Sequence, residues 1–178
     1  MPDDELHGRT DPAFDADERQ MLTSYLDYQR ATLAWKASGL SQAQLAQTIP
    51  SSALTIGGLV KHLALVEDTW LTERFAGHDE PEPWASADWE ADRDWELHSA
   101  AQDTPDQLVA QYAESCARSR AVVAAAGSLG EPSVAESNRH PGQHFTLRWI
   151  LLHLIEETAR HNGHVDLIRE SIDGLTGE

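Results

Sequence analysis

The chain has 178 residues and a formal net charge of −17, a field that repels phosphate backbones and anionic membranes and so argues against a nucleic-acid or membrane-surface partner. One cysteine, Cys116, excludes an internal disulfide and a cysteine-rich metal site. The opening MPDDELHGRTDP has neither the basic nor the apolar region of a secretory signal, and no run approaches the ~18 apolar residues that span a bilayer, so a cytoplasmic protein is expected.

Residues 1–15 are polar, carry Pro2, Gly8 and Pro12, and are expected to form a flexible lead-in to one domain over 16–178. A first helix is predicted from about Asp17, on Leu22, Leu26, Gln29 and Leu33, ending near Gly39. Ser41 caps one short helical turn. Thr55 is the predicted N-cap of a second long helix, Ile56 to Ala76, with Ile56, Leu59, Leu63, Val66 and Trp70 on its apolar face. At about 100° per residue, His62 lies at the edge of that face, whereas Glu67 and Asp68 fall away from it. Residues 77–103 read as a long acidic connection whose Trp84, Trp89 and Trp95 pack over the helices or wall a pocket. Thr104 and Pro105 start a third helix running to about Ala126. Residues 128–145 read as loop. Thr146 caps a fourth helix that closes near Ile172, before Gly174. Four long helices, long connections and no convincing strand pattern predict an all-α four-helix bundle.

The fourth helix contains RWILLHLIEETARHNGHVDLIRE. With His153 set at zero, Glu157, His161 and His164 fall at about 40°, about 80° and about 20°, one narrow stripe of metal-ligand types. A glutamate and a histidine four residues apart are commonly no more than a solvated pair on adjacent turns. Here Leu152, Ile155, Leu167 and Ile168 supply apolar neighbours, and a buried, unpaired Glu157 would be costly. A bundle builds metal sites from inward side chains on facing helices, and the second helix offers His62. Two imidazoles and a carboxylate suit zinc, iron, nickel or manganese, and three protein ligands leave a position for water or a thiolate. His153 and His164 then read as proton carriers, outer hydrogen-bond partners or satisfied polar residues. Glu156, Arg160 and Glu170 read as surface or ion-pair residues, Cys116 as a small core residue, and His78, His98, His140 and His144 as solvated loop residues.

The segments YLDYQRATLAWKASGL, SSALTIGGLVKHLALVEDTW and LRWILLHLIEETARHNGHVDLIRE resemble the DinB/YfiT-like superfamily, in particular its actinobacterial branch of unassigned function. The resemblance runs from about residue 20 to the end. It implies a four-helix bundle of unusual order with a divalent metal between the second and last helices. Many members use His-x-x-x-His on the last helix; Glu157 stands at the first of those positions, as in the metal-binding domain of mycothiol-dependent maleylpyruvate isomerases. The ligands implied are His62, Glu157 and His161. The activity implied is a metal-activated S-transferase or isomerase acting on a small substrate with a low-molecular-weight thiol of the mycothiol type, with zinc as the leading ion. The alternative is a metal-binding or stress-associated bundle without turnover. Homodimers are common among similar proteins, and the tyrosine- and tryptophan-bearing first helix would supply such a face.

Overall fold

Each long helix begins where a side chain takes up one of the backbone N–H groups that a helix start leaves unpaired. In the computed structural model, which describes residues 8–176, the elements are α1 (Glu18–Ala37), α2 (Gln42–Leu45), α3 (Ile56–Glu67), α4 (Trp95–Ser99), α5 (Pro105–Ala125), β1 (Pro132–Ser137), β2 (His140–Thr146) and α6 (Leu147–Asp173). Asp17, Ser41, Thr55, Thr104 and Thr146 cap α1, α2, α3, α5 and α6, and Ser41 and Thr104 form reciprocal capping boxes with Gln44 and Gln107. At its C-terminus α6 is closed by Gly174, whose φ of +78° is left-handed. Arg9 is buried over the rings of Tyr28 and Trp35, and residues 1–7 of the expected lead-in lie outside the described residues.

The most apolar of the helices, α3, is buried on nearly every side, packing on α1, α2, α4, α5 and α6. The second helix was expected to continue as α-helix to Ala76. Instead Asp68–Phe75 is wound as π-helix, a wider turn with i→i+5 hydrogen bonds. Glu67 and Asp68 do not fall away to solvent as the face pattern predicts. Both are buried, because α1 and α5 cover the sides of α3 that the apolar count leaves open. Each is matched by a cation. Arg30 grips Glu67 through Nε at 2.7 Å and Nη2 at 2.5 Å. Arg118 donates from Nε to Asp68 Oδ1 at 2.8 Å and from Nη2 to Oδ2 at 2.9 Å.

The connection after the π turn is anchored by the same aspartate. Trp84, fully buried, donates its indole N–H to Asp68 Oδ2 at 2.9 Å, and Ser115 adds its hydroxyl at 2.6 Å. Trp89 and Trp95 pack against the core cluster that contains Trp84, so the tryptophans cover the helices as expected. The expected loop over 128–145 holds an antiparallel hairpin, β1 with β2, in the register Pro132↔Thr146, Glu136↔His144 and Ser137↔His140. The protein is therefore mostly helical with a two-stranded sheet, and not all-α. These strands carry no strand signature in the sequence, because almost every side chain in them is exposed or half-exposed and no alternation of apolar and polar residues results. Among the described residues, no helix is long and apolar enough to cross a membrane.

Candidate metal centre

His62 on α3 and Glu157 and His161 on α6 converge. One potential ligand atom from each lies within 4.8 Å of the others. His62 Nε2 is 3.6 Å from Glu157 Oε1, and His161 Nε2 is 3.3 Å from the same oxygen. Bonds of about 2.0–2.2 Å to a tetrahedral ion separate its donors by about 3.3–3.6 Å, which is the separation of these contacts. The donor types and their spacing therefore fit a divalent ion. The side chains are 14–23% exposed, half-buried and open on one side.

The other ring nitrogen of His62 is held from a direction that helix periodicity does not show. Nδ1 lies 2.9 Å from Oε1 of Glu96, a buried residue of α4. That bond fixes the ring orientation and leaves Nε2 facing Glu157, the usual work of a carboxylate behind a ligand histidine. Its approach depends on Gly58. A Cβ there would sit 2.9 Å from the Thr55 hydroxyl and 3.1 Å from the Leu97 carbonyl oxygen, so the missing side chain gives the backbone next to Glu96 room to come close to α3. Glu96 was missed because it lies 34 residues from His62, inside an acidic stretch with no helical periodicity of its own. The one local signal is its position between apolar Trp95 and Leu97.

Burial would lower the pKa of His62, but the hydrogen bond and charge of Glu96, and then those of Glu157, outweigh it and raise it from its ordinary value. His161 moves the other way: burial and the neighbouring His62 lower it. The two rings, 5.0 Å apart and nearly edge to face, therefore do not compete equally for a proton.

The two extra histidines of the stripe separate. His164 Nδ1 lies 3.3 Å from His161 Nδ1, so it stands behind a donor. His153 instead joins an aromatic cluster, 4.7 Å from Trp70 and stacked on Trp149 at 5.2 Å with 22° between planes. Glu156 pairs with Arg160 on the exposed face. Leu152 and Leu167, expected as apolar cover, are 52% and 60% exposed; Leu154, Thr158, Val165 and Ile168 are the buried neighbours of the stripe. Cys116 is buried in the core and its thiol is pushed up to about 12, by burial first and then by the charge of Glu67. Arg118 and Arg120 are engaged by Asp68 and Asp27. His98, on α4 and not in a loop, is exposed and paired with Asp92 at 2.8 Å.

The fold is shared with a solved structure described as the crystal structure of the conserved protein of locus from Enterococcus faecalis. The similarity has a TM-score of 0.70 at 16% identity and covers 90% of this chain and 99% of that one. No curated protein matches the chain. Residues 21–174, which include α1 through α6 almost entirely and all three converging donors, match the family described as Mycothiol-S-transferase. The chain belongs to the mycothiol S-transferase family.

Proposed function

We propose that this chain holds a divalent metal ion through His62, Glu157 and His161 and transfers a low-molecular-weight thiol, mycothiol, to a small electrophilic acceptor. The observation that carries this reading is the meeting of three nitrogen and oxygen donors from two helices at 3.3 and 3.6 Å, within a chain of the mycothiol S-transferase family. Zinc suits the set best, and nickel, iron or manganese are compatible with it. When bound, such an ion gives a thiol a coordination position at which it loses its proton near neutral pH. Glu157 sits between the two imidazoles, and Glu96 keeps His62 in the orientation that directs Nε2 inward. The thiol proton would pass to His164, whose Nδ1 lies 3.3 Å from His161 Nδ1, or to His153, one turn before Glu157. In the transfer the sulfur forms a bond to the acceptor carbon, the leaving group departs with its electron pair, and the thiol proton passes to a histidine or to water.

A non-catalytic metal site would be expected to close with a fourth protein ligand. Among the described residues the group contains three, and His164 faces His161 Nδ1 instead of adding a fourth. That favours transfer over storage. Elemental analysis of protein purified without a polyhistidine tag should find about one equivalent of metal, lost in His62→Ala and His161→Ala. With mycothiol and 1-chloro-2,4-dinitrobenzene, the metal-loaded protein should form the thioether and chloride. Sub-stoichiometric metal that neither substitution changes would overturn the reading, and full metal content without thioether formation would favour the non-catalytic alternative.

A further inference from the structure

The contact of α3 and its π turn with α6 continues beyond the donors. His62 faces His161 at 5.0 Å, and eight residues further along α3, in the π turn, Trp70 faces His153 at 4.7 Å, eight residues back on α6. The two segments therefore run antiparallel. A cleft of about 790 Å³ opens beside the second pair, between the π turn, the hairpin and the start of α6. Its apolar wall is a run of rings: Trp70 meets Phe145 at 5.0 Å, Phe145 meets Trp149 at 4.8 Å, and Trp149 stacks on His153. Trp149 is 45% exposed, and His153 stacks on one side of its ring.

The remaining wall is polar and carries two guanidinium groups. Arg74 and Arg139 line the cleft with three histidines, and no Asp or Glu lines it, in a chain whose net charge is −17. Arg74 leans over the Trp70 ring at 5.1 Å, and its buried Nε has no hydrogen-bond partner. Among the described residues, neither arginine is neutralised by a carboxylate. Other arginines here, such as Arg30, Arg118, Arg148 and Arg169, each hold one. Trp70 and Arg74, four residues apart on the π turn, share one wall, and the hairpin carries Arg139 at the opening. An indole wall with unneutralised guanidinium groups at its edge suits a planar aromatic ligand that carries a carboxylate or sulfonate.

We propose that this cleft is the acceptor subsite, and that it takes an aromatic acid whose ring stacks on Trp149 and whose anionic group pairs with Arg74 and Arg139. The role as acceptor subsite rests on the transferase reading; the binding of the aromatic acid does not. The neutral sugar-bearing thiol has no group that calls for two free guanidinium ions, so the thiol would occupy the donor end and the acceptor the ring end. His153, part of the ring wall and one turn from Glu157, lies where the two would meet.

The test is calorimetric titration of the full chain with 2-naphthoate and with its neutral isostere 2-naphthamide, in metal-loaded and chelator-treated protein. Naphthoate should bind saturably, about tenfold or more tightly than the amide. Arg74→Gln should remove most of that preference, and Trp149→Ala, a surface substitution that leaves the far-ultraviolet spectrum unchanged, should weaken both ligands. Binding should survive in His62→Ala, which separates this proposal from the metal reading: loss of metal with retained naphthoate binding leaves the cleft standing. Absence of saturable binding to folded protein, equal affinity for acid and amide, or a preference that survives in both Arg74→Gln and Arg139→Gln would overturn it.

Discussion

Two polar regions branch from the same central helix and differ in how their charges are satisfied. At the C-terminal end of α3, Glu67 and Asp68 are buried to 2% and 1% exposure, and each meets an arginine through two hydrogen bonds. About one and a half turns earlier, His62 faces Glu157 and His161 at distances too long for good hydrogen bonds and too short for indifference, on side chains that stay partly open. The first region is chemically complete: every carboxylate oxygen has a donor, so nothing remains to bind a ligand. The second is a set of acceptors turned towards one another, which is stable when a cation or protons supply the missing partner. Burial alone does not mark a functional site here; unsatisfied convergence does.

Disturbing the complete region shows whether the incomplete one depends on it. Asp68→Ala should cost about 3 kcal/mol, the low end for breaking a buried pair, because Arg118 is one-third exposed. It also strips an acceptor from Trp84 and Ser115 and should loosen the connection that carries Glu96. Denaturant unfolding of metal-free protein would show the loss, whereas His161→Ala should change the same measurement by less than about 1 kcal/mol. If the two substitutions exchanged effects, the assignment of structural and functional roles would be reversed. Acid sharpens the contrast. Burial would raise the Asp68 pKa, but hydrogen bonds from Arg118, Ser115 and Trp84 outweigh it and hold the carboxyl below the usual range. The folded-state value is depressed, so the stability it contributes is complete above the unfolded value of about 3.9 and is lost as pH falls through the folded value. Asp68→Ala should therefore flatten the acid limb of the stability–pH curve.

How legible each region was follows from its periodicity. The three donors were readable because two lie one turn apart on a regular helix and the third sits at the edge of an apolar face. The caps Thr55, Thr104 and Thr146 were readable because capping is local chemistry. The burial of Glu67 and Asp68 was not, because a helix surrounded on all sides shows no polar face, and the arginines that neutralise them come from α1 and α5. The hairpin was hidden for a related reason. Backbone pairing holds it, and its side chains, from Glu136 to His144, face solvent on both surfaces. The split between His153 and His164 depends on Trp70 and Trp149, which only tertiary packing brings to one of them. Glu96 illustrates the limit most clearly, since a residue with no pattern of its own orients a residue that has one.

Glu96 also gives a test of intermediate size. Glu96→Gln keeps the side-chain volume but replaces a charged acceptor with a neutral amide, so the His62 ring loses its firm orientation without opening the core. Metal affinity should fall about 10- to 100-fold, the usual cost of removing such an outer partner, while unfolding stability without metal changes little. Competition with a fluorescent chelator would measure it. Gly58→Ala should act in the same direction, because its Cβ would crowd the Leu97 carbonyl next to Glu96 as well as the Thr55 cap hydroxyl. Unchanged affinity in both variants would show that the donors are held by α3 and α6 alone.

The smallest expected effect concerns the one sulfur nucleophile that the chain itself possesses. Cys116 belongs to the complete side of the comparison: it is buried, and its thiol is pushed up to about 12 by that burial and by Glu67, with the Arg30 charge only partly offsetting. At neutral pH almost none of it is thiolate, the form that reacts. Iodoacetamide should therefore leave the folded protein unmodified at pH 7.5 and label it only on unfolding. Cys116→Ala should alter thioether formation by less than about twofold, beyond a modest stability loss from the small cavity. Rapid alkylation of the folded protein, or loss of transfer in a folded Cys116→Ala variant, would place the nucleophile in the chain. Under the proposed transfer, an unreactive Cys116 leaves an external thiol as the sulfur source, and the half-open face of His62, Glu157 and His161 is where an ion that activates it would be held.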